Sequence, residues 1–256
     1  MKWLRMLGLY FERTFEYRLR SLLWLLNPVI NNLTLILFWS GAGLNTPSIS
    51  SYYILMTIGG LFTSSHVEYE VSEIDIKQGQ LVNYLTKPIS YYWVNLLSEV
   101  PYRALQALYA SGIIGVFLIF FPHALMISLT VLHIPLVILI FILGYLISFT
   151  FKMCLAYLSF WFKDIRGLNE LVTIVIIIFS GGIMPLPWYP QVMQTISNIL
   201  PFAYSGYYCI TALQGSVSLI GLIQILTIQG VWLCVLLHIH NILWRNGIKE
   251  FTAMGQ

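Results

Sequence analysis

Side chains that could carry out chemistry are few in this 256-residue sequence, and their spacing favours structural roles. Cys154, Cys209 and Cys234 are widely separated, which predicts small buried apolar residues rather than a disulfide framework or a metal site. His238 and His240 would point to different faces of a helix, so they are not expected to share a metal ion. We therefore predict no catalytic residue and no metal site.

Glu99 and Arg103 have the spacing of a helical ion pair, four residues apart with the acid nearer the N-terminus. Pro101 lies between them and opposes a regular helix at this point. We predict a structural rather than a catalytic role for the pair.

The motifs of common catalytic machineries are absent from the sequence. It contains no Gly-Lys pair, so it cannot form the phosphate-binding loop of a nucleotide hydrolase, and it has no Cys-x-x-Cys, His-Glu-x-x-His or Gly-x-Ser-x-Gly motif. Three long segments lack Asp, Glu, Lys and Arg, whereas ion-coupled transporters normally carry such groups inside the membrane. These absences indicate the passive membrane part of a machine whose energy source is another protein.

The composition is that of a polytopic membrane protein. Hydrophobic residues make up 58% of the chain and charged residues 9%, whereas soluble domains are about 25% charged. Too few polar residues are present to cover a soluble globule. The net charge of +3 is small and gives no support to a nucleic-acid partner.

The placement of the charges predicts the membrane topology. The 13 basic and 10 acidic residues fall in four islands: 1–20, 68–103, 152–170 and 245–256. The charge-free segments between them are 21–67, 104–151 and 171–244. A spanning helix needs about 20 apolar residues, so each segment holds two spans that leave one membrane face and return to it. Every Lys and Arg lies in an island, which predicts that the islands and both termini are cytoplasmic.

The predicted fold is therefore all-α, with six transmembrane helices. The spans are expected at about 21–41, 51–67, 102–121, 128–151, 167–184 and 220–244. Residues 1–20 mix apolar, aromatic and basic side chains, which predicts an interfacial helix lying on anionic lipid head groups. The whole chain is interpreted as a single transmembrane domain with cytoplasmic loops at 68–103 and 152–170 and a cytoplasmic tail at 245–256.

Residues 185–201, here the Pro-rich segment, interrupt the third apolar block. Three prolines in six residues, among them Pro185 and Pro187, cannot continue a regular helix. Trp188 and Tyr189 are natural anchors at a membrane interface. We predict a short re-entrant segment that forms the outer gate of a pathway, because broken backbone at membrane depth must be buried in protein or line a wet cavity. An interfacial loop with aromatic anchors is the alternative.

Residues 78–90, here the docking segment, follow an acidic run at 68–75 in the second charged island. The segment carries apolar residues at helical spacing: Leu81, Tyr84 and Leu85. It ends at Lys87-Pro88, where proline stops a helix. We interpret it as a short amphipathic cytoplasmic helix that a soluble partner grips. The alternatives are an ordinary connector at the membrane surface and, for the acidic run, a solvated loop.

The docking segment and the tail Arg-Asn-Gly-Ile-Lys-Glu-Phe-Thr-Ala-Met-Gly at 245–255 resemble the ABC-2 type transporter permeases, and the six predicted spans and flat N-terminal helix agree with that family. The resemblance implies a dimer of permeases, each docked to a cytoplasmic ABC ATPase that binds ATP and Mg²⁺. It implies that residues 1–20 form an elbow helix and that the docking segment contains a coupling helix. The implied ATPase-coupling positions are Gly79, Leu81, Leu85, Lys87 and Pro88, together with Glu73 and Asp75.

The function implied by this resemblance is that of the membrane subunit of an ATP-driven exporter in a bacterial cytoplasmic membrane, with no ATPase site or cofactor of its own. The uncharged spans suit an amphiphilic or bulky substrate such as a lipid-linked glycan, a peptide or a drug-like molecule. The alternatives are a self-contained channel or secondary carrier, which would need charged groups within the membrane, and a membrane-embedded enzyme, which would need a catalytic pair.

Overall fold

The structure is a computed structural model that describes residues 2–16, 18–43, 47–120, 125 and 127–252. The α-helices are α1 (Lys2–Glu16), α2 (Arg18–Gly41), α3 (Pro47–Thr63), α4 (Val67–Tyr69), α5 (Val82–Leu85), α6 (Tyr91–Phe120), α7 (Ile134–Tyr157), α8 (Arg166–Phe179), α9 (Gln191–Ile199), α10 (Phe202–Ser205), α11 (Tyr207–Gln214) and α12 (Leu219–Glu250). A π-helix (Glu70–Lys77) follows α4, and 3-10 turns lie at Val131–His133, Leu158–Phe160 and Leu186–Trp188. The described residues contain no strand. Residues 44–46, which fall between the first two predicted spans, residues 121–124 and 126, which fall at the end of the third and before the fourth, and the last four residues of the predicted tail lie outside the described residues.

Several helices depart from the boundaries expected of the spans: α7 starts and ends six residues later than expected, and α12 continues to Glu250 instead of ending at 244. Helix α6 begins at Tyr91 and runs through Pro101, so the second half of the island 68–103 is helical rather than a loop. Tertiary contacts around a proline can hold a helix that the isolated sequence would break. Helix α8 has 14 residues and ends at Phe179, before the expected end at 184. The chain turns there at Gly181, whose φ of +83° is accessible mainly to glycine.

Residues from three charged islands meet at one end of the molecule, here the charged end (residues 64–93, 152–168 and 240–252). The Glu73 carboxylate lies 3.0 Å from the Arg166 guanidinium. The ring of Tyr91 stacks on that of Trp244 with a centroid distance of 5.0 Å. Phe251 packs on the aromatic core beneath them. Residues far apart in sequence therefore form a single surface at this end.

Another set of chain segments meets at the opposite end, where α2 finishes and α3 begins. The indole N–H of Trp39 donates to the carbonyl of Ile183 at 3.2 Å, and the hydroxyl of Tyr53 donates to the same oxygen. The Ser128 backbone N–H donates to the Gln214 carbonyl at 3.0 Å. These hydrogen bonds join segments that are far apart in sequence at the end of the molecule opposite the charged end.

The core is centred on α7, which packs most extensively against α12. Gly144 of α7 lets the chain at Ser205 approach closely, since a Cβ there would lie 2.9 Å from the sulfur of Cys209. The fully buried Gln229 of α12 donates to the carbonyls of Ile140 (3.0 Å) and Tyr204 (2.8 Å). One amide therefore ties three helices together where water cannot supply hydrogen bonds.

By length and hydropathy, two helical stretches among the described residues could cross a membrane, Val131–Phe160 and Leu219–Glu250, with mean hydropathies of 2.5 and 2.1. At 1.5 Å per residue the second is about 48 Å long, against a hydrocarbon thickness of about 30 Å. The count of six spans stays a prediction.

Candidate docking surface and polar network

The docking segment leaves the π-helix through a tight turn at the charged end. Gly79 has a φ of +76°, a left-handed conformation that strains any residue with a Cβ. The turn is closed by the Leu81 N–H, which donates to the Asp75 carbonyl at 2.8 Å. Gly79 is therefore required for the shape of the turn, and the exposed face of the segment depends on it indirectly.

The one-turn helix α5 presents a small apolar face to the outside. Leu85 is 44% exposed and Val82 is 37% exposed. Lys87 and Pro88, just beyond the helix, are also exposed. Two apolar side chains and one cation thus stand together on a surface where neighbouring positions are polar.

Leu81 faces the other way and is fully buried in the aromatic core of the charged end. Tyr84 is partly buried and contacts the ring of Tyr91 at a centroid distance of 5.3 Å. The two residues hold α5 against the body of the protein. Among the residues carried over from the family resemblance, Leu81 therefore anchors the segment and is not available as a direct contact.

Glu73 and Asp75 do not lie in a solvated loop; both are buried on the π-helix. The Glu73 carboxylate binds Lys77 Nζ at 2.8 Å and Arg166 Nη2 at 3.0 Å. The hydrogen bond from Arg166 lowers the pKa of Glu73 below its ordinary value of 4.5. Glu73 thus connects elements within the protein instead of presenting free charge to a partner, whereas Glu70 of the same run is exposed.

Asp75 accepts a hydrogen bond from the Tyr91 hydroxyl. Burial raises the pKa of the Asp75 carboxyl from 3.8 to about 6, because a low-dielectric environment disfavours the charged form; the bond from Tyr91 opposes this rise and the nearby Glu70 adds to it. The residue whose backbone carbonyl closes the turn of the docking segment therefore carries a side-chain carboxyl with a pKa of about 6.

Acidification from about pH 7.5 to about pH 5 is expected to stabilise the docking turn by roughly 1–3 kcal/mol. The folded-state pKa of Asp75 lies above its ordinary value, so the folded form holds the proton more tightly, and this contribution is lost as the pH rises through about 6. Glu73 stays ionised throughout the window because its pKa is lowered. The measurement is hydrogen exchange of the Leu81 N–H, corrected for the intrinsic pH dependence. Asp75→Asn is the control and should show high protection at both pH values; equal pH dependence in both proteins would contradict the assignment.

A further acid of the charged end, Glu68, is buried with a cationic partner. Lys152 Nζ lies 2.7 Å from Glu68 Oε1 and 3.4 Å from Thr173 Oγ1, which joins α4, α7 and α8. The other carboxylate oxygen of Glu68 is buried without a hydrogen-bond partner. The sequence alone did not predict this ion pair, because its members are 84 residues apart. The only indication of it was Lys152, a single lysine directly after an apolar block.

Glu99 is the centre of the second network, where α3 ends. Its two oxygens accept hydrogen bonds from Ser65 Oγ, the His66 N–H, Arg103 Nη2 and Tyr145 Oη, at 2.9, 3.3, 3.2 and 2.9 Å. Arg103 also donates to the Leu61 carbonyl at 2.9 Å. The ion pair predicted for Glu99 and Arg103 is confirmed, and it fixes the break between α3 and α4 to α6 and α7.

The Pro-rich segment contains the 3-10 turn and the amphipathic helix α9. Trp188 is 40% exposed and meets Trp39 edge to face, at a centroid distance of 5.8 Å. Tyr189 is buried and donates to the carbonyl of Ile178 at 2.7 Å. Pro185 and Pro187 flank Leu186, which is buried. Aromatic donors therefore satisfy carbonyls that the end of α8 leaves free.

No cluster of three or more His, Cys, Asp or Glu side chains that could hold a metal ion occurs in the described part of the chain. The buried acids are held in ion pairs or by a tyrosine hydroxyl.

The long apolar helices and the charged end define a helical membrane protein. A family model described as "ABC-2 family transporter protein" matches residues 25–255. The chain belongs to this family, which confirms the resemblance inferred from the sequence. No curated protein sequence matches it. Members of the family are transmembrane subunits of ABC transporters, generally not catalytic themselves, and associate with an ABC ATPase.

Proposed function

We propose that the chain is the membrane permease of an ATP-driven exporter and that its docking segment binds the partner ATPase. The observation that carries the proposal is the geometry of α5, with Val82 and Leu85 exposed while Leu81 and Tyr84 anchor the helix to the core. An apolar face that is held rigidly against the core can transmit a displacement of the bound ATPase to the rest of the permease, whereas a flexible loop would absorb it.

The proposed topology has six spans, formed by α2, α3, α6, α7, α8 and α12, with α8 completed by the Pro-rich segment. The meeting of the charged islands at one end supports it, because charged loops avoid the hydrocarbon core. The charged end is then cytoplasmic, in a bacterial inner membrane with both termini inside. Helix α1 would lie on the lipid surface as the elbow helix.

Two permease copies would enclose the pathway, with the Pro-rich segment as its outer gate. Helix α8 supports this, since it exposes Leu171, Ile174 and Ile177 at helical spacing, a face that lipid or a second copy would cover. The absence of charge from the three apolar blocks supports an amphiphilic or bulky substrate: a lipid-linked glycan, a peptide or a drug-like molecule. ATP and Mg²⁺ would be bound by the ATPase alone.

The test is purification of the tagged chain from its own cells in mild detergent, followed by an ATPase assay. We expect a cassette-type ATPase to co-purify with the chain and to turn over ATP. A chain that purifies alone, without any response to nucleotide, would overturn the proposal in favour of a channel or secondary carrier.

A further inference from the structure

We propose that α8 is a rigid lever, that Arg166 is the positioning residue joining its inner end to the docking segment through Glu73, and that its outer end carries the Pro-rich segment. The inference rests on the proposed function and deepens it by naming the element that carries movement from the ATPase to the outer gate.

The inner half of α8 is connected to the segment that leads into the docking turn by an ion pair and by a hydrogen bond to a lysine. Arg166, its first residue, binds Glu73 of the π-helix at 3.0 Å. About two turns along, Thr173 meets Lys152, which in turn holds Glu68 at 2.7 Å. Both acids belong to one short continuous stretch, so a displacement of the docking segment reaches α8 at two points.

Between its ends, α8 is loosely attached to the rest of the chain. None of its 14 residues, all of which are described, is buried. Its strongest packing contacts are with α9 and α10, which belong to the opposite end. A helix with no buried residue, held by polar contacts at Arg166, Thr173 and its outer end, can move as a unit about 21 Å long at 1.5 Å per residue.

The outer end of α8 is bonded to the elements that shape the gate. The Ser180 carbonyl accepts the Tyr207 N–H at 2.8 Å, and the Gly181 carbonyl accepts the Tyr52 hydroxyl at 2.8 Å. Tyr189 of the Pro-rich segment bonds back to Ile178 of α8. Movement of α8 along its axis would therefore displace the gate residues directly.

Lys77 supplies a matched control for the contact of Arg166 with Glu73. Lys77 binds Glu73 Oε1 at 2.8 Å and Arg166 binds Glu73 Oε2 at 3.0 Å, so each cation pairs with the same carboxylate. Lys77 lies on the same π-helix as Glu73, whereas Arg166 is on α8. Loss of either cation removes one charge pair, but only loss of Arg166 breaks the connection between elements.

The experiment uses the ATPase complex in lipid nanodiscs, in which ATP and a polar labelling reagent reach both faces, and it reads the opposite end of the molecule directly. A cysteine is introduced by Gln191→Cys, at an exposed polar position of α9, in a Cys234→Ala background, since Cys234 is exposed while Cys154 and Cys209 are buried. A membrane-impermeant maleimide then reports the labelling rate with and without ATP plus vanadate. Arg166→Gln, Lys77→Gln and Arg166→Lys are compared in this background.

With Arg166→Gln we expect the nucleotide-dependent change in labelling rate to shrink about threefold or more, while the ATPase still co-purifies and hydrolyses ATP. Lys77→Gln should leave the change intact, and Arg166→Lys should restore part of it. The inference is overturned if Arg166→Gln shows the same nucleotide-dependent change in labelling rate as the parent, or if Lys77→Gln reduces that change as much as Arg166→Gln does. It is also overturned if the parent shows no nucleotide-dependent change. Release of the ATPase by Arg166→Gln would overturn it too, because Arg166 would then be a docking contact. Failure of the proposed function is distinct, because no ATPase would then co-purify with the parent.

Discussion

Replacement of Glu99 by leucine is expected to destabilise the protein by about 3–5 kcal/mol, because it leaves Arg103 charged, buried and unpaired. The Glu99 carboxylate lies 3.2 Å from Arg103 and also holds the break after α3 through Ser65 and Tyr145. The loss should lower the midpoint of thermal unfolding in detergent by roughly 5–15 °C. The measurement is the fraction that remains monodisperse in size-exclusion chromatography after heating.

The double variant Glu99→Leu with Arg103→Leu distinguishes the ion pair from simple loss of packing. Removal of both charges should destabilise less than removal of the acid alone, since no buried charge is then left without a partner. Glu170→Leu, a change at an exposed acid on α8, is the surface control and should have little effect. A single Glu99→Leu protein as stable as the parent would contradict the assignment of a central role to this carboxylate.

Replacement of Leu85 by aspartate is expected to weaken binding of the ATPase by about 30-fold, or ~2 kcal/mol, as for a central contact of an interface. Leu85 is exposed, so the change leaves the core intact and membrane insertion should be normal. A buried carboxylate at the interface would have no partner to offset its loss of hydration. Titration of the purified ATPase against the permease in detergent measures the effect, and ATP hydrolysis coupled to transport should fall with it.

Leu168→Asp is the matched control, since Leu168 is a comparably exposed leucine (40%) at the charged end but outside the docking segment. It should bind the ATPase like the parent. Leu81→Asp should instead fail to fold, since its side chain is fully buried. Normal binding and transport by Leu85→Asp at normal abundance would overturn the assignment of the docking face.

Several features of the fold followed from local rules. The ion pair of Glu99 and Arg103 could be predicted from the four-residue spacing, although Pro101 argued against a helix there. The one-turn helix α5 appears within the docking segment, ahead of the proline that stops it. The end of α8 could be placed only approximately, because apolar residues continue past Phe179 and the turn at Gly181 depends on distant donors such as Tyr52.

The sequence by itself determined the class of the protein, the absence of a nucleotide site of the Gly-Lys type and the division of the chain into charged islands and apolar blocks. These are properties of composition and order, and the scarcity of charge alone excludes a soluble globule. Only the tertiary structure decided which side chains of the docking segment face outward, and that Glu68 meets Lys152 and Glu73 meets Arg166. Burial and pairing depend on neighbours brought together by folding, such as residues 73 and 166, and no local periodicity records them.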